Sequence, residues 1–405
     1  MIVGPAYIIL VGLLIILAIK VMYIEPALKL HTVSDPTFLK QFMKKQFNAF
    51  NDPALLNELS GMTEDMTMDY WYMYYHIRTE DLTFFTLLNR INRFSDACNL
   101  CVYGIDHKTD RTFRYVIPTQ LQNISVTEIN EKIVVEQKGL FKYTVDFETD
   151  ILTYDITHYD MNASFTMKVE DWNTNQASFF PWYYPIRLIM DLNGHESHMP
   201  GEWMVDSPCI GKIMEGMFCG RNVQASGNFW FDTYTGTNYH WLAPYTWFYI
   251  NTDEWVIYLL QYGEADSVNK PATPILIKNR KDNRWFHSGS ITKLPFPFEQ
   301  IRSEVSFKYS IDGNLGAPFE AQFRSDAINI TLRSIPETIR SVFKYNYYKN
   351  DNNIPPNEVD KAYYEKIRNI SFEEYLCEAE VMIEYDGKKT TTNARVLYEG
   401  MTEKR

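Results

Sequence analysis

The stretch from Gln224 to Gly263 reads QASGNFWFDTYTGTNYHWLAPYTWFYINTDEWVIYLLQYG. Four tryptophans stand in it: Trp230, Trp241, Trp247 and Trp255. Two apolar runs, Trp247–Ile250 and Trp255–Leu260, flank Asn251-Thr252-Asp253. Asn and Asp suit a tight turn, so the pattern predicts a β-hairpin. Upstream, Asp232 lies between Trp230 and Tyr234. A carboxylate among aromatics is costly to bury unless it is paired or protonated. Asp232 therefore sits either at a sheet rim or in a pocket that raises its pKa.

Working outward, short runs rich in Tyr, Phe and β-branched residues recur about every ten residues, with polar turns between them. Residues 69–77 and 82–89 open the series. Ile133–Gln137, Phe141–Thr144, Leu152–Thr157 and Phe165–Val169 continue it. The rhythm returns in Arg284–Ser290, Phe319–Phe323, Ile328–Leu332, Tyr375–Tyr385 and Thr392–Glu399. Asp386-Gly387, between the last two, is a strong hairpin signal. Pro336 to Tyr348 reads as a short helix or a loop. The expected architecture is mainly β, with lobes over 62–205 and 206–405.

The N-terminal end differs. Ile2 to Ile24 is apolar except for Lys20. With that side chain snorkelling, about 20 residues are available to cross a bilayer. No basic stretch precedes it and bulky residues follow it, so an uncleaved anchor over residues 1–30 is expected rather than a signal peptide. Residues 31–61 read as an amphipathic helical linker, with Phe38, Leu39, Phe42, Met43, Phe47 and Phe50 at helical spacing. A single-pass membrane protein follows, in an endomembrane or secretory compartment or the mitochondrial inner membrane.

Composition narrows the function classes. A formal charge of −12 argues against a nucleic-acid surface. Aromatic residues make up 15% of the chain, which suits both sheets and apolar pockets. Cys98 and Cys101 form one CxxC without a second pair, so a zinc site is not expected, and buried thiols are. His195-Glu196-Ser197-His198 is one residue short of the spacing that puts two imidazoles on one helical face. No phosphate loop or nucleophile elbow is present, and no cofactor is expected.

The pattern Tyr70-Trp71-Tyr72 with Tyr74-Tyr75-His76, then Gly227, then Trp230-x-Asp232-x-x-x-Gly236 followed by Trp241 and Trp247, resembles the double-lipocalin family of carotenoid 1,2-hydratases and AttH-like proteins. Plant tocopherol cyclases and fungal Diels–Alderases are more distant architectural relatives. The closing Glu378…Asp386-Gly387…Tyr398-Glu399 resembles the family's last hairpin. The resemblance implies two lipocalin-like antiparallel β-barrels side by side, with an apolar pocket where they meet. It also implies an acid at Asp232 that protonates an isoprenoid double bond. Trp230 stands where the family has Tyr, and Asn393-Ala394-Arg395 replaces its Gly-rich final strand.

Three functions are compatible with these features. The first is a membrane-anchored binder of a lipid or isoprenoid, with Trp71, Tyr74, His76, Trp230, Tyr239, Trp241 and Trp247 around the ligand. The second is a hydratase or cyclase using Asp232 as general acid. The third is a non-catalytic accessory subunit of a larger membrane complex. The expected partners are the bilayer, an apolar small molecule and, in the third case, other subunits.

Overall fold

The computed structural model describes residues 69–90, 96–172, 175–177, 204–206, 209–223, 227–237, 245–262, 275–288, 298–300, 316–324, 328–346 and 370–403, with residues 40, 43, 44, 47, 48 and 50. They are mainly β and form two sheets. The first holds β1 (Asp69–Arg78), β2 (Leu82–Arg90), β3 (Ala97–Asp106), β4 (Arg111–Gln120), β5 (Ser125–Ile129), β6 (Lys132–Gln137) and β7 (Phe141–Asp146). It continues with β8 (Ile151–His158), β9 (Met161–Trp172), β10 (Asn175–Ala177), β11 (Met204–Asp206), β12 (Cys209–Phe218), β13 (Arg221–Asn222) and β14 (Asn228–Thr237). The second holds β15 (Tyr245–Asn251), β16 (Trp255–Tyr262), β17 (Ile275–Asn279), β18 (Arg284–Ser288) and β19 (Phe298–Gln300). It is completed by β20 (Glu320–Arg324), β21 (Ile328–Ser334), β22 (Arg340–Tyr345), β23 (Ile370–Tyr385) and β24 (Lys388–Glu403). Pairing is antiparallel except between β18 and β19.

The main path of the first sheet runs β4-β3-β2-β1-β14-β12-β9-β8-β7-β6-β5. Strands β2 and β7 are six steps apart on it, about 29 Å if the sheet were flat. Yet Thr86 on β2 and Tyr143 on β7 share a 3.1 Å hydrogen bond. Near the two ends of the path, the Thr119 hydroxyl on β4 donates to Gln137 on β6 at 2.6 Å. The sheet is therefore curled tightly round one core, which includes Phe84, Leu88, Tyr143, Tyr154, Phe165 and Phe231. The second sheet curls round Phe248, Ile257, Ile277, Phe319, Ile330 and Tyr398. The path of neither sheet closes on itself among the described residues, so these are curled half-barrels rather than closed barrels.

Both predicted hairpins form. Trp247 pairs with Leu260 across the Thr252 turn, where the Thr252 hydroxyl accepts from the amide of Trp255 at 2.9 Å. Tyr385 pairs with Lys388 across Asp386 and Gly387, both in the left-handed region at φ 51° and 68°. Three expectations need correction. The change of sheet falls between Thr237 and Tyr245, so β12 and β14 pair in the first sheet and not in a lobe beginning at 206. Cys209–Phe218, not among the runs expected as strands, is a strand because it lies between β9 and β14. Among the described residues of the 336–348 segment, Pro336–Thr338 forms a single 3₁₀ turn, and Arg340–Tyr345 is an edge strand with alternation too weak to read.

Lys40, Met43, Lys44, Phe47 and Asn48 have helical backbone. Met43, Phe47 and Phe50 are buried in the first core, with Phe47 stacked on Phe231 at 5.9 Å. Lys40 pairs with Asp150 at 2.6 Å and Lys44 with Glu131 at 2.5 Å. No helix among the described residues is long and apolar enough to cross a membrane, and residues 1–39, with the expected anchor, lie outside them.

Gly227 leads into β14 and leaves no room for a side chain. A Cβ there would stand 2.4 Å from the Arg78 carbonyl oxygen and 2.7 Å from a Thr79 methyl carbon. Gly227→Ala is expected to destabilise the fold by about 2–3 kcal/mol, as overpacking against backbone does. Urea unfolding of the two proteins measures it.

Candidate functional site

In an antiparallel sheet, residues directly opposite each other share a face. On the first sheet, Trp230 is opposite His76, His76 opposite Phe85, and Phe85 opposite Tyr103. None of the four belongs to the core on the other side of these strands. On the second sheet, Trp247 is opposite Glu399, Glu399 opposite Glu374, and Glu374 opposite Phe343. The two rows meet. Tyr103 stacks on Phe343 at 4.4 Å, and its hydroxyl donates to Glu374 Oε1 at 2.6 Å. Trp230 meets Tyr249 edge-on at 5.0 Å and stacks with Tyr258 at 5.9 Å.

His76 is 4% exposed. Its ring stacks on Phe85 at 4.5 Å and meets Tyr249 edge-on at 5.0 Å. Neither ring nitrogen has a hydrogen-bond partner. Burial, then the charges of Arg78 and Arg395, hold its pKa well below the ordinary value, so the ring is neutral. Asn89, on the same face of β2 as Phe85, is fully buried and has neither amide atom bonded. Buried polar groups without partners are rare, and here two lie on one face.

Glu374 is completely buried. Burial and the facing Glu399 raise its pKa well above the ordinary value, against the Tyr103 hydrogen bond, which favours the charged form. Two like charges directly opposite are unfavourable. Burial and the facing carboxyl thus favour the neutral form of Glu374, and the two groups titrate as a pair.

The far end of the contact is ionic. Arg78 donates to the Asn251 carbonyl at 2.8 Å, and Arg395 to the Thr79 carbonyl at 2.9 Å and to Glu378 at 3.0 Å. These groups line an open cleft of about 660 Å³ with Asp253, Glu254 and Thr391. Both guanidinium groups are engaged with carbonyls or a carboxylate, so this end serves as a joint between the sheets rather than an anion site.

Of the sequence candidates, His76, Trp230 and Trp247 come together, linked through Tyr249. Trp71, Tyr74 and Asp232 are described by backbone alone. Trp71 pairs with Thr235, and Tyr74 pairs with Asp232, two residues along from the His76–Trp230 pair. Tyr239, Trp241, His240 and the His195–His198 motif lie outside the described residues. All five cysteines are free, four of them buried and Cys219 exposed. No cluster that could hold a metal occurs among the described residues. Sequence reading missed Asn89, Tyr103, Glu374 and Glu399. The carboxyl pair had a signal: Glu374 stands as far before Asp386 as Glu399 stands after Gly387, so the hairpin turn alone puts them opposite.

Two pH effects on stability follow. His76 has a folded pKa below its unfolded value, so its contribution is intact above about pH 6.5 and lost as the pH falls below that. Glu374 has a raised one, so its contribution is full below about pH 4.3 and lost as the pH rises toward the folded value. His76→Phe should flatten the acid side of the stability–pH curve, and Glu374→Gln the side above pH 4.3. Denaturant midpoints from pH 4 to 9 check both.

No family model matches the chain, and no curated protein matches it in sequence. Among solved structures, kievitone hydratase from Nectria haematococca is similar at 11% identity and a TM-score of 0.45, covering 83% of this chain and 89% of its own. CghA is similar at 9% identity and a TM-score of 0.46, over 84% and 88% of the two chains. A candidate AttH protein from Nitrosomonas europaea is similar at 12% identity and a TM-score of 0.44, over 85% and 95%.

Proposed function

We propose that this protein binds an apolar small molecule of the lipid or isoprenoid class against the aromatic face between its two sheets. We also propose that an anchor over Ile2–Ile24 holds it at the bilayer where such molecules reside. The observation that carries the binding reading is His76: fully enclosed, neutral, boxed by Phe85 and Tyr249, with both nitrogens unpartnered. Ligand sites are aromatic surfaces with a few placed polar groups, and an unmade hydrogen bond inside one is completed by the ligand's own polar atom. Asn89 supplies a second such group on the same face. A ligand with one hydroxyl or carbonyl on a hydrocarbon body matches that balance. Asp232 as a general acid rests on the resemblance, and its backbone register beside the His76–Trp230 pair is compatible with that role.

The test is a titration of the full-length protein in detergent with geranylgeraniol, read by tryptophan fluorescence. Saturable quenching is expected, because Trp230 and Trp247 stand at the face. In His76→Leu the Kd should rise about tenfold, the cost of roughly 1.4 kcal/mol for one lost hydrogen bond. Native mass spectrometry of protein extracted from its own membrane should show a small apolar adduct. Absence of both quenching and adduct, with co-migration among many subunits, would replace this reading with that of an accessory subunit.

A further inference from the structure

We propose that the cleft at the ionic end of the contact between the sheets binds a neutral polyhydroxylated molecule, a sugar or a sugar headgroup, at a site separate from the aromatic face.

At about 660 Å³ the cleft has the size of a small-molecule site, and both sheets contribute to its wall. Asn228 on β14 stands opposite Arg78 on β1, so the two share the face that meets the second sheet. From the second sheet, Thr391 and Asn393 share a face of β24 with Arg395, which bonds to the Thr79 carbonyl of the first. Two arginines and four carboxylates line the cleft, which leaves no excess of positive charge to hold an anion. Three of the carboxylates are already paired: Asp253 with Lys212 at 2.6 Å, Glu254 with Lys281 at 2.9 Å and Glu378 with Arg395 at 3.0 Å. Little charge is left to hold a cation either.

What the wall offers instead is hydrogen bonding. Asn228 is 8% exposed, and its side-chain carbonyl oxygen has no hydrogen-bond partner among the described residues, while its amide nitrogen reaches Asp253 at 3.4 Å. A buried acceptor left unpaired costs free energy, which a donor on a ligand recovers. Thr391 and Asn393 add a hydroxyl and an amide, groups that both donate and accept. The ligand group that matches such a wall is a hydroxyl, and several hydroxyls on one small neutral body describe a sugar. Trp255 and Ile383 add apolar surface against which the C–H face of a sugar ring can rest. A joint between the sheets needs the arginine bridges, but it does not need an amide with an unmade bond. Leucine at 228 would fill the position without one.

The experiment is saturation-transfer NMR on the full-length protein in a detergent without a sugar headgroup, with glucose, galactose, mannose and N-acetylglucosamine as probes. Saturable binding of at least one probe is expected. Thr391→Trp puts a large side chain on an exposed residue of the wall and should abolish that binding at an unchanged denaturant midpoint. Asn228→Leu should raise the Kd about tenfold, through the loss of one hydrogen bond. Excess geranylgeraniol should leave sugar binding unchanged. In phosphatidylcholine nanodiscs carrying a glycolipid of the bound sugar, loss of the soluble signal assigns the site to a headgroup, and its persistence assigns it to a free sugar. Absence of binding by every probe would overturn the proposal. Binding retained by both variants would overturn it too. So would competition by geranylgeraniol, which would place the sugar at the aromatic face.

Discussion

Strands β1, β2, β3 and β14 have to bury both of their faces. One side packs on the core inside the first curl, and the other meets the second sheet. Every residue of β2 is buried, and all but the ends of β3. A strand in that position has no solvent side on which to place its polar groups. Each polar residue it carries must be neutral, bonded or both. This one constraint explains the neutral ring of His76, the raised pKa of Glu374 where it meets Tyr103 of β3, and the Arg78 guanidinium set against a backbone carbonyl. Arg78 also shows the limit of such accommodation, with burial and the neighbouring Arg395 lowering its pKa to about 10.

The contact between the sheets divides by chemistry along its length. At one end Arg78 and Arg395 reach across to carbonyls of the opposite sheet, and Asn251 donates to the Phe229 carbonyl. Such bonds fix a position with little apolar area. At the other end rings carry the contact: Trp230 on Tyr249 and Tyr258, and Tyr103 on Phe343. Aromatic pairs of this kind contribute about 0.5–1.5 kcal/mol beyond the area they bury. The ionic end fixes the sheets relative to each other, and the aromatic end offers a surface on which shape rather than charge decides what fits.

Much of this was legible in the sequence where short-range chemistry decides the outcome. The turns at Asn251–Asp253 and Asp386-Gly387 declare their hairpins, because few residues tolerate those backbone angles. The clustering of aromatics around His76 and Trp230 marked the contact face. Other features were hidden by tertiary context. β22 alternates too weakly to stand out, and β12 is interrupted by Gly211, Lys212, Glu215 and Gly216. It is a strand because β9 and β14 pair with it. The boundary near residue 206 failed for the same reason. It followed a gap in the strand rhythm, whereas sheet membership is set by β1 pairing with β14. The carboxyl pair lay in plain view on the last hairpin, but Glu374 follows another acid, Glu373, and a double glutamate reads as a solvated edge.

The way each sheet is assembled also bears on how the chain reaches its fold. In the first sheet Asp69 pairs with Thr237, and in the second Thr246 pairs with Gly400, so each sheet joins its earliest strand to its latest. The entropy of closing such long loops is lost before the pairing that offsets it can form. High contact order of this kind places folding in the millisecond-to-second range or slower. On the ribosome β1 waits, one edge unpaired, until β14 has emerged. At about 5–20 residues per second that wait lasts many seconds. During it the aromatic run DYWYMYYHIR of β1 is an exposed, sticky strand edge, the kind of segment that chaperones shield.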